Sequence, residues 1–339
     1  MAPRPRFSSV LETPDLKLPP GKKLGGAIAA ACSPQGDLFL LHQWNPPGLA
    51  QTPGNAEEFL PDVARFAPDG SFVDAWGGPD HVPRVDGVQQ WPVGREGIEI
   101  DAEGNVWVFG YYQGDDAVLK FNQAGELLLR IGQREKPGNN DSTDLLGGPT
   151  SCYHDVENRE VFISDGYGNH RIISFNSDTG EFIRMWGAYG KKPSECTPEE
   201  SYGNPVHKVA VGPTGLLYVC DRPNCRIQEF ERVPGGAKFL RELVIAPGTE
   251  NWGSAFDLDF HPDGKFMYVC DGSNIRIWVV DVETFEVLGW TSGFEQGEGD
   301  GNIPRHFNLV HRFRLEPSGD ILLACTGRGY LRMKYLGIS

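Results

Sequence analysis

The chain has 339 residues, among them 43 Gly and 26 Pro, and its 46 acidic against 31 basic side chains give a formal net charge of -15 at pH 7. That charge argues against a nucleic-acid partner, whose affinity is dominated by cationic neutralisation of phosphates, and no stretch approaches the about 20 apolar residues of a membrane span. Seven cysteines is an odd number, and Cys32, Cys220, Cys270 and Cys325 fall in apolar, strand-like segments, so free buried thiols in a cytoplasmic protein are expected rather than a disulfide framework.

The N-terminal MAPRPRFSSV carries basic residues with no apolar run behind them, unlike a secretory signal, and residues 6–12 read as a strand. A hairpin pattern then recurs six times: an alternating apolar strand, a turn ending in Gly, and a second strand closing on a polar loop. In chain order the copies are IAAACSPQGDLFLLHQ, EGIEIDAEGNVWVFGY, SCYHDVENREVFISDG, HKVAVGPTGLLYVCDR, FDLDFHPDGKFMYVCD and HRFRLEPSGDILLACT, beginning at Ile28, Glu96, Ser151, His207, Phe256 and His311. Most continue into a third strand, such as VARFAPDG or CRIQEFERVPG, and a fourth, such as SFVDAWG or KFLRELV. Short strands repeating every roughly 40 to 55 residues indicate propeller blades. The last copy runs out of chain near Tyr335 before its own fourth strand, which residues 6–12 can supply, leaving no open edge. Residues 1–339 are therefore read as a single all-β domain, a six-bladed β-propeller of four-stranded blades closed by the N-terminal strand.

In such a blade the start of the first strand and the end of the second meet at one mouth of the central channel. Copies two, four and six begin with Glu96, His207 and His311, so three potential ligands fall on alternate blades. Two imidazoles and a carboxylate leave part of a divalent ion's coordination sphere open, as in catalytic zinc sites and two-histidine, one-carboxylate iron sites. Tyr167 and Arg222, just past their second strands, return to the same mouth. The aromatic residues Trp44, Trp91, Tyr111, Tyr112, Trp252 and Phe256 suggest a partly apolar pocket, and His42 and Arg328 are further candidate pocket residues. His154 is assigned a structural role. Asp165, Asp221 and Asp271 are expected to accept backbone N–H groups in the turns that follow them.

DGYGNHRIISF, CDRPNCRIQEF, PVHKVAV and LVHRFRL resemble the motifs of the NHL-type six-bladed propeller of the peptidyl-α-hydroxyglycine α-amidating lyases. The resemblance implies that His207 and His311 are metal ligands, that Tyr167 is the catalytic tyrosine and that Arg222 is an active-site arginine. Three positions depart from the family pattern. Glu96 replaces the first metal histidine, giving a harder ligand set that suits zinc, iron or manganese. Arg312 replaces an Asp that helps hold a structural calcium, so that calcium is not assigned and a guanidinium is expected in its place. Gln43 replaces an arginine that contacts substrate, which implies a substrate other than a peptidyl hydroxyglycine.

The chemistry expected is that of a metal-dependent lyase or hydratase acting on a small hydroxylated or carbonyl substrate. The ion would act as a Lewis acid, Tyr167 as acid or base, and Arg222 would orient a substrate oxygen. Two alternatives use the same scaffold: a metal-dependent hydrolase of lactonase or esterase type, and a non-enzymatic NHL-type binding module.

Overall fold

In a computed structural model, which describes residues 4–44, 55–250, 252–291, 310–325 and 329–338, the strands form six four-stranded sheets, as the repeat predicts for an all-β propeller. Blade 1 is Gly26–Cys32, Leu38–Gln43, Val63–Phe66 and Phe72–Trp76; blade 2 is Arg95–Ile100, Val106–Gly110, Ala117–Phe121 and Leu127–Gly132. Blade 3 is Pro149–Asp155, Glu160–Asp165, Arg171–Asn176 and Phe182–Trp186; blade 4 is Val206–Val211, Leu217–Asp221, Arg226–Val233 and Gly236–Val244. Blade 5 is Asp257–Phe260, Phe266–Asp271, Arg276–Asp281 and Val287–Thr291. Blade 6 is Val310–Leu315, Ile321–Cys325, Gly329–Ile338 and, as its outer strand, Pro5–Glu12, which pairs antiparallel with Gly329–Ile338 (Phe7 opposite Tyr335, Leu11 opposite Met333). All seven cysteines are free, and among the described residues no helix is long and apolar enough to cross a membrane.

Each sheet is apolar on both faces at its second strand because it is covered by a blade on either side, and six hydrophobic clusters fill the six junctions. Phe39, Val63, Trp76, Trp91 and Phe121 join blades 1 and 2; Phe162, Trp186, Val209 and Phe230 join blades 3 and 4; Leu40, Leu322, Ala324 and Tyr330 close the ring between blades 6 and 1. Trp91, Trp107 and Trp186 are fully buried, each worth about 4–6 kcal/mol at 150–250 Å² of apolar burial. Trp91 therefore lies in the core, with its indole N–H donated to Asp62 at 2.6 Å, and not in the pocket where its place in the sequence suggested it would be.

The register corrects the repeat alignment by one residue in blade 3. Pro149 pairs with Asp165 and Ser151 with Ser164, so Thr150 is the unpaired, bulged residue. The same bulge falls on Ile28, Glu96, His207 and His311 in blades 1, 2, 4 and 6. The residue of blade 3 equivalent to these is Thr150, not Ser151. A bulge bends its strand and re-aims one side chain, and here it does so at the start of each of these inner strands, at the mouth of the channel.

Candidate metal and catalytic site

The bulged residues of blades 2, 4 and 6 converge. Glu96 Oε1 lies 3.3 Å from His207 Nε2 and 3.2 Å from His311 Nε2, and the three ligand atoms fall within 4.8 Å of one another. Glu96 and His207 are 2% and 0% exposed. Close approach of neighbouring blades makes this possible: a Cβ on Gly166 would stand 2.1 Å from the Val206 carbonyl oxygen, so only Gly lets the chain preceding His207 run against the end of blade 3. Thr150 Oγ1 then donates to that same Val206 oxygen at 2.7 Å.

The intervening blades supply backbone. His207 Nδ1 is 2.6 Å from Phe256 O and His311 Nδ1 is 3.1 Å from Ile28 O. A carbonyl can only accept, so each Nδ1 carries a proton and each ring turns its Nε2 toward Glu96. Burial, Arg312 and Arg222 push His207 well below the usual imidazole range, which keeps it neutral. Burial opposes the charge on Glu96, but His311, His207 and Arg312 together hold its carboxyl well below its ordinary value. The neutral His207 thus turns its buried Nε2, which has no hydrogen-bond partner, toward an anionic oxygen, and His311 Nε2 approaches the same oxygen. Two imidazole nitrogens and a carboxylate oxygen are a donor set that fits a divalent cation. Zinc ligands at 2.0–2.1 Å and tetrahedral angles stand about 3.3 Å apart, close to the Glu96–histidine separations.

Tyr167 donates its hydroxyl to Glu96 Oε2 at 3.3 Å. Burial and the Glu96 charge raise its pKa, against Arg222 and Arg312. Arg222, 8% exposed, lies with its guanidinium 4.7 Å from the centre of the Phe256 ring and forms no salt bridge with the described carboxylates. It is held from behind by Gly253, whose absent Cβ would stand 1.8 Å from the Arg222 carbonyl oxygen. Tyr111 packs beside Tyr167 with ring centres 6.1 Å apart. Tyr112 and Trp252 are 41% and 56% exposed, and Trp44 stacks on Phe59.

Other sequence candidates take structural positions. His42 is 1% exposed and accepts the Gly25 N–H at Nδ1, 3.1 Å away. Asp165 and Asp221 do the same at the same place in blades 3 and 4, accepting the N–H of Gly147 and Gly203 in the incoming loops. Their second oxygens take Asn169 and Arg171, and Asn224 and Arg226. The Asp series therefore ties three segments together, where the sequence had suggested only the following turn; Asp271 does accept from that turn, through Asn274. Gln43 bridges blades 1 and 2 through Val93 O and the Arg95 N–H. His154 packs on Trp107 beside Asp101. Arg328 and the connection 293–309 lie outside the described residues.

The sequence reading did not place Arg312 in contact with the ligands. Its guanidinium donates to Glu96 Oε1 at 3.0 Å, to Thr150 O, and to His207 O at 3.3 Å. The available signal was the departure of Arg312 from the family's Asp, which pointed to a guanidinium there but not to its contact with Glu96.

Residues 206–230, which include His207, Asp221, Arg222 and Arg226, match the NHL repeat model. The chain is 28% identical over 231 residues to the peptidyl-glycine alpha-amidating monooxygenase of Mus musculus, a match covering 67% of this chain and 22% of that protein. Against peptidyl-alpha-hydroxyglycine alpha-amidating lyase 1 of Drosophila melanogaster it is 31% identical over 139 residues, covering 40% of this chain and 24% of the relative. The chain is a six-bladed propeller with an NHL repeat match in blade 4, and it resembles the amidating lyases. It matches less than a quarter of the length of either relative. The virginiamycin B lyase of Staphylococcus aureus superposes with a TM-score of 0.54 at 13% identity, covering 93% of this chain and 85% of that one, a likeness of fold.

Proposed function

We propose that this chain is a metal-dependent lyase or hydratase that acts on a small hydroxylated or carbonyl substrate at the channel mouth. The observation that carries the reading is the convergence of Glu96, His207 and His311, with both imidazole Nε2 atoms turned inward by the Phe256 and Ile28 carbonyls. A zinc, iron or manganese ion held there would supply a Lewis acid that lowers the proton affinity of a substrate oxygen. Tyr167, protonated by burial and by Glu96, serves as acid and base: it gives its proton to the departing group as the bond to the hydroxylated carbon breaks and takes up the proton that the substrate loses, and its 3.3 Å bond to Glu96 keeps the hydroxyl against the site. Arg222, backed by Phe256, orients a substrate oxygen and stabilises negative charge developing on it. The partly apolar mouth around Tyr111, Tyr112 and Trp252 fits a substrate with an apolar portion.

Elemental analysis of tag-free protein tests the first step: about one divalent ion per wild-type chain, lost when Glu96, His207 and His311 are all changed to Ala. A wild-type protein that takes up no zinc, iron or manganese on supplementation overturns the reading. Tyr167→Phe is expected to keep the ion and lose about 10²- to 10⁴-fold in kcat; wild-type turnover in that variant removes Tyr167 from the chemistry.

A further inference from the structure

Arg312 is the side chain through which the ligand set is joined. It follows His311 directly, donates to the Glu96 carboxylate at 3.0 Å and to the His207 carbonyl at 3.3 Å, and also donates to the Thr150 carbonyl. It is 4% exposed, and Asp257 Oδ1 stands 4.0 Å from its Nη1. From blade 6 the guanidinium therefore reaches across the channel to blades 2, 3, 4 and 5. Two backbone carbonyls and a carboxylate are the donors a hard cation would gather, and here a covalently held cation has taken them.

The other channel cations behave differently. Lys208 pairs with Glu99 and lies 3.5 Å from Asp257; Arg314 pairs with Glu99 and lies 3.6 Å from Asp259. Both neutralise carboxylates deeper along the inner strands, and neither bonds to Glu96. Only Arg312, among the described channel cations, is bonded to a candidate ligand oxygen.

We infer that Arg312 is a positioning residue for the metal site: its planar fork fixes the rotamer of Glu96 so that Oε1 faces the two imidazole nitrogens before any ion arrives. The inference rests on the proposed metal site. A glutamate side chain has three rotatable bonds, and Tyr167 holds only its Oε2, at 3.3 Å. The fork, anchored on Thr150 O and His207 O, restrains Oε1. A carboxylate pre-oriented by an outer partner binds its ion more tightly, and loss of such a partner costs about 10- to 100-fold in metal affinity. Lysine cannot substitute, because one ammonium on a flexible stem does not reproduce a planar fork spanning three acceptors.

The test is zinc affinity of the full metal-free chain, measured by competition with a chromophoric chelator beside thermal unfolding of the same samples. Arg312→Met is expected to bind zinc about 10- to 100-fold more weakly than wild type. Arg314→Met, which strips a channel guanidinium paired with Glu99 rather than Glu96, is expected to lower the unfolding temperature and keep wild-type zinc affinity. Wild-type affinity in Arg312→Met, or an equal loss in both variants, overturns the positioning role and leaves the metal site standing. A wild-type chain that binds no zinc, iron or manganese overturns the site reading itself and this inference with it. Should Arg312→Met fail to fold, Arg312→Lys decides alone: weakened zinc binding supports the fork, and unchanged binding overturns it.

Discussion

His42 carries a charge-dependent contribution to stability that can be worked out from its surroundings. It is 1% exposed, and its Nδ1 accepts the Gly25 N–H. Burial lowers its pKa from 6.5 to about 4, against the opposing pull of Asp62 and the Pro61 carbonyl. The unfolded chain therefore binds the proton more readily than the folded one. The contribution of the neutral ring is complete above the unfolded value of 6.5 and is lost as pH falls toward the folded value of about 4. At about pH 5 the linkage expression gives a loss of about 2 kcal/mol, rising to about 3 kcal/mol below both values. His42→Asn keeps an acceptor for Gly25 and cannot titrate. Urea unfolding of both proteins at about pH 7.5 and about pH 5 measures the difference: wild type should lose about 2 kcal/mol more than the variant on acidification. Equal losses in the two proteins would refute the argument that His42 is buried as a neutral ring.

Two further outcomes follow from the way blades are tied and the ring is closed. Asp221→Asn leaves Arg226 without its 2.7 Å charged partner at a site where Asp221 is 0% exposed; the expected cost is on the order of 3 kcal/mol, read as a lower urea midpoint, and an unchanged midpoint would remove the Asp–Asn–Arg tie as a stabilising device. Deleting residues 1–12 strips the outer strand from Gly329–Ile338 and exposes its edge, so the variant should unfold at lower temperature and self-associate on size exclusion; a monomer with wild-type unfolding temperature would contradict closure by that strand.

Much of the site was legible because propeller repeats convert sequence position into place around a ring. Glu96, His207 and His311 head equivalent strands, and the bulge that aims them inward falls on each of the three. Blade 3 is where that arithmetic slipped. Ser151 and Thr150 are both small and polar, so nothing in the pattern reports which of them is unpaired, and only the Pro149–Asp165 and Ser151–Ser164 pairing does. Trp91 was misplaced for a related reason. Its loop rises toward the mouth, but an indole gains more by burial against Trp76 and Phe121 than by lining a cleft.

Local pattern by itself determined the number of blades, the alternation of faces and which three side chains converge at the mouth, because period-two strands and Gly turns are short-range properties of the chain. The tertiary structure alone decided the orientation of those side chains. The Phe256 and Ile28 carbonyls that orient the two imidazoles come from neighbouring blades, and the Arg312 fork reaches Glu96 from a strand 216 residues away in sequence. Backbone oxygens carry no sequence signature, so a site whose outer contacts are mostly carbonyls becomes visible only when the ring closes around it.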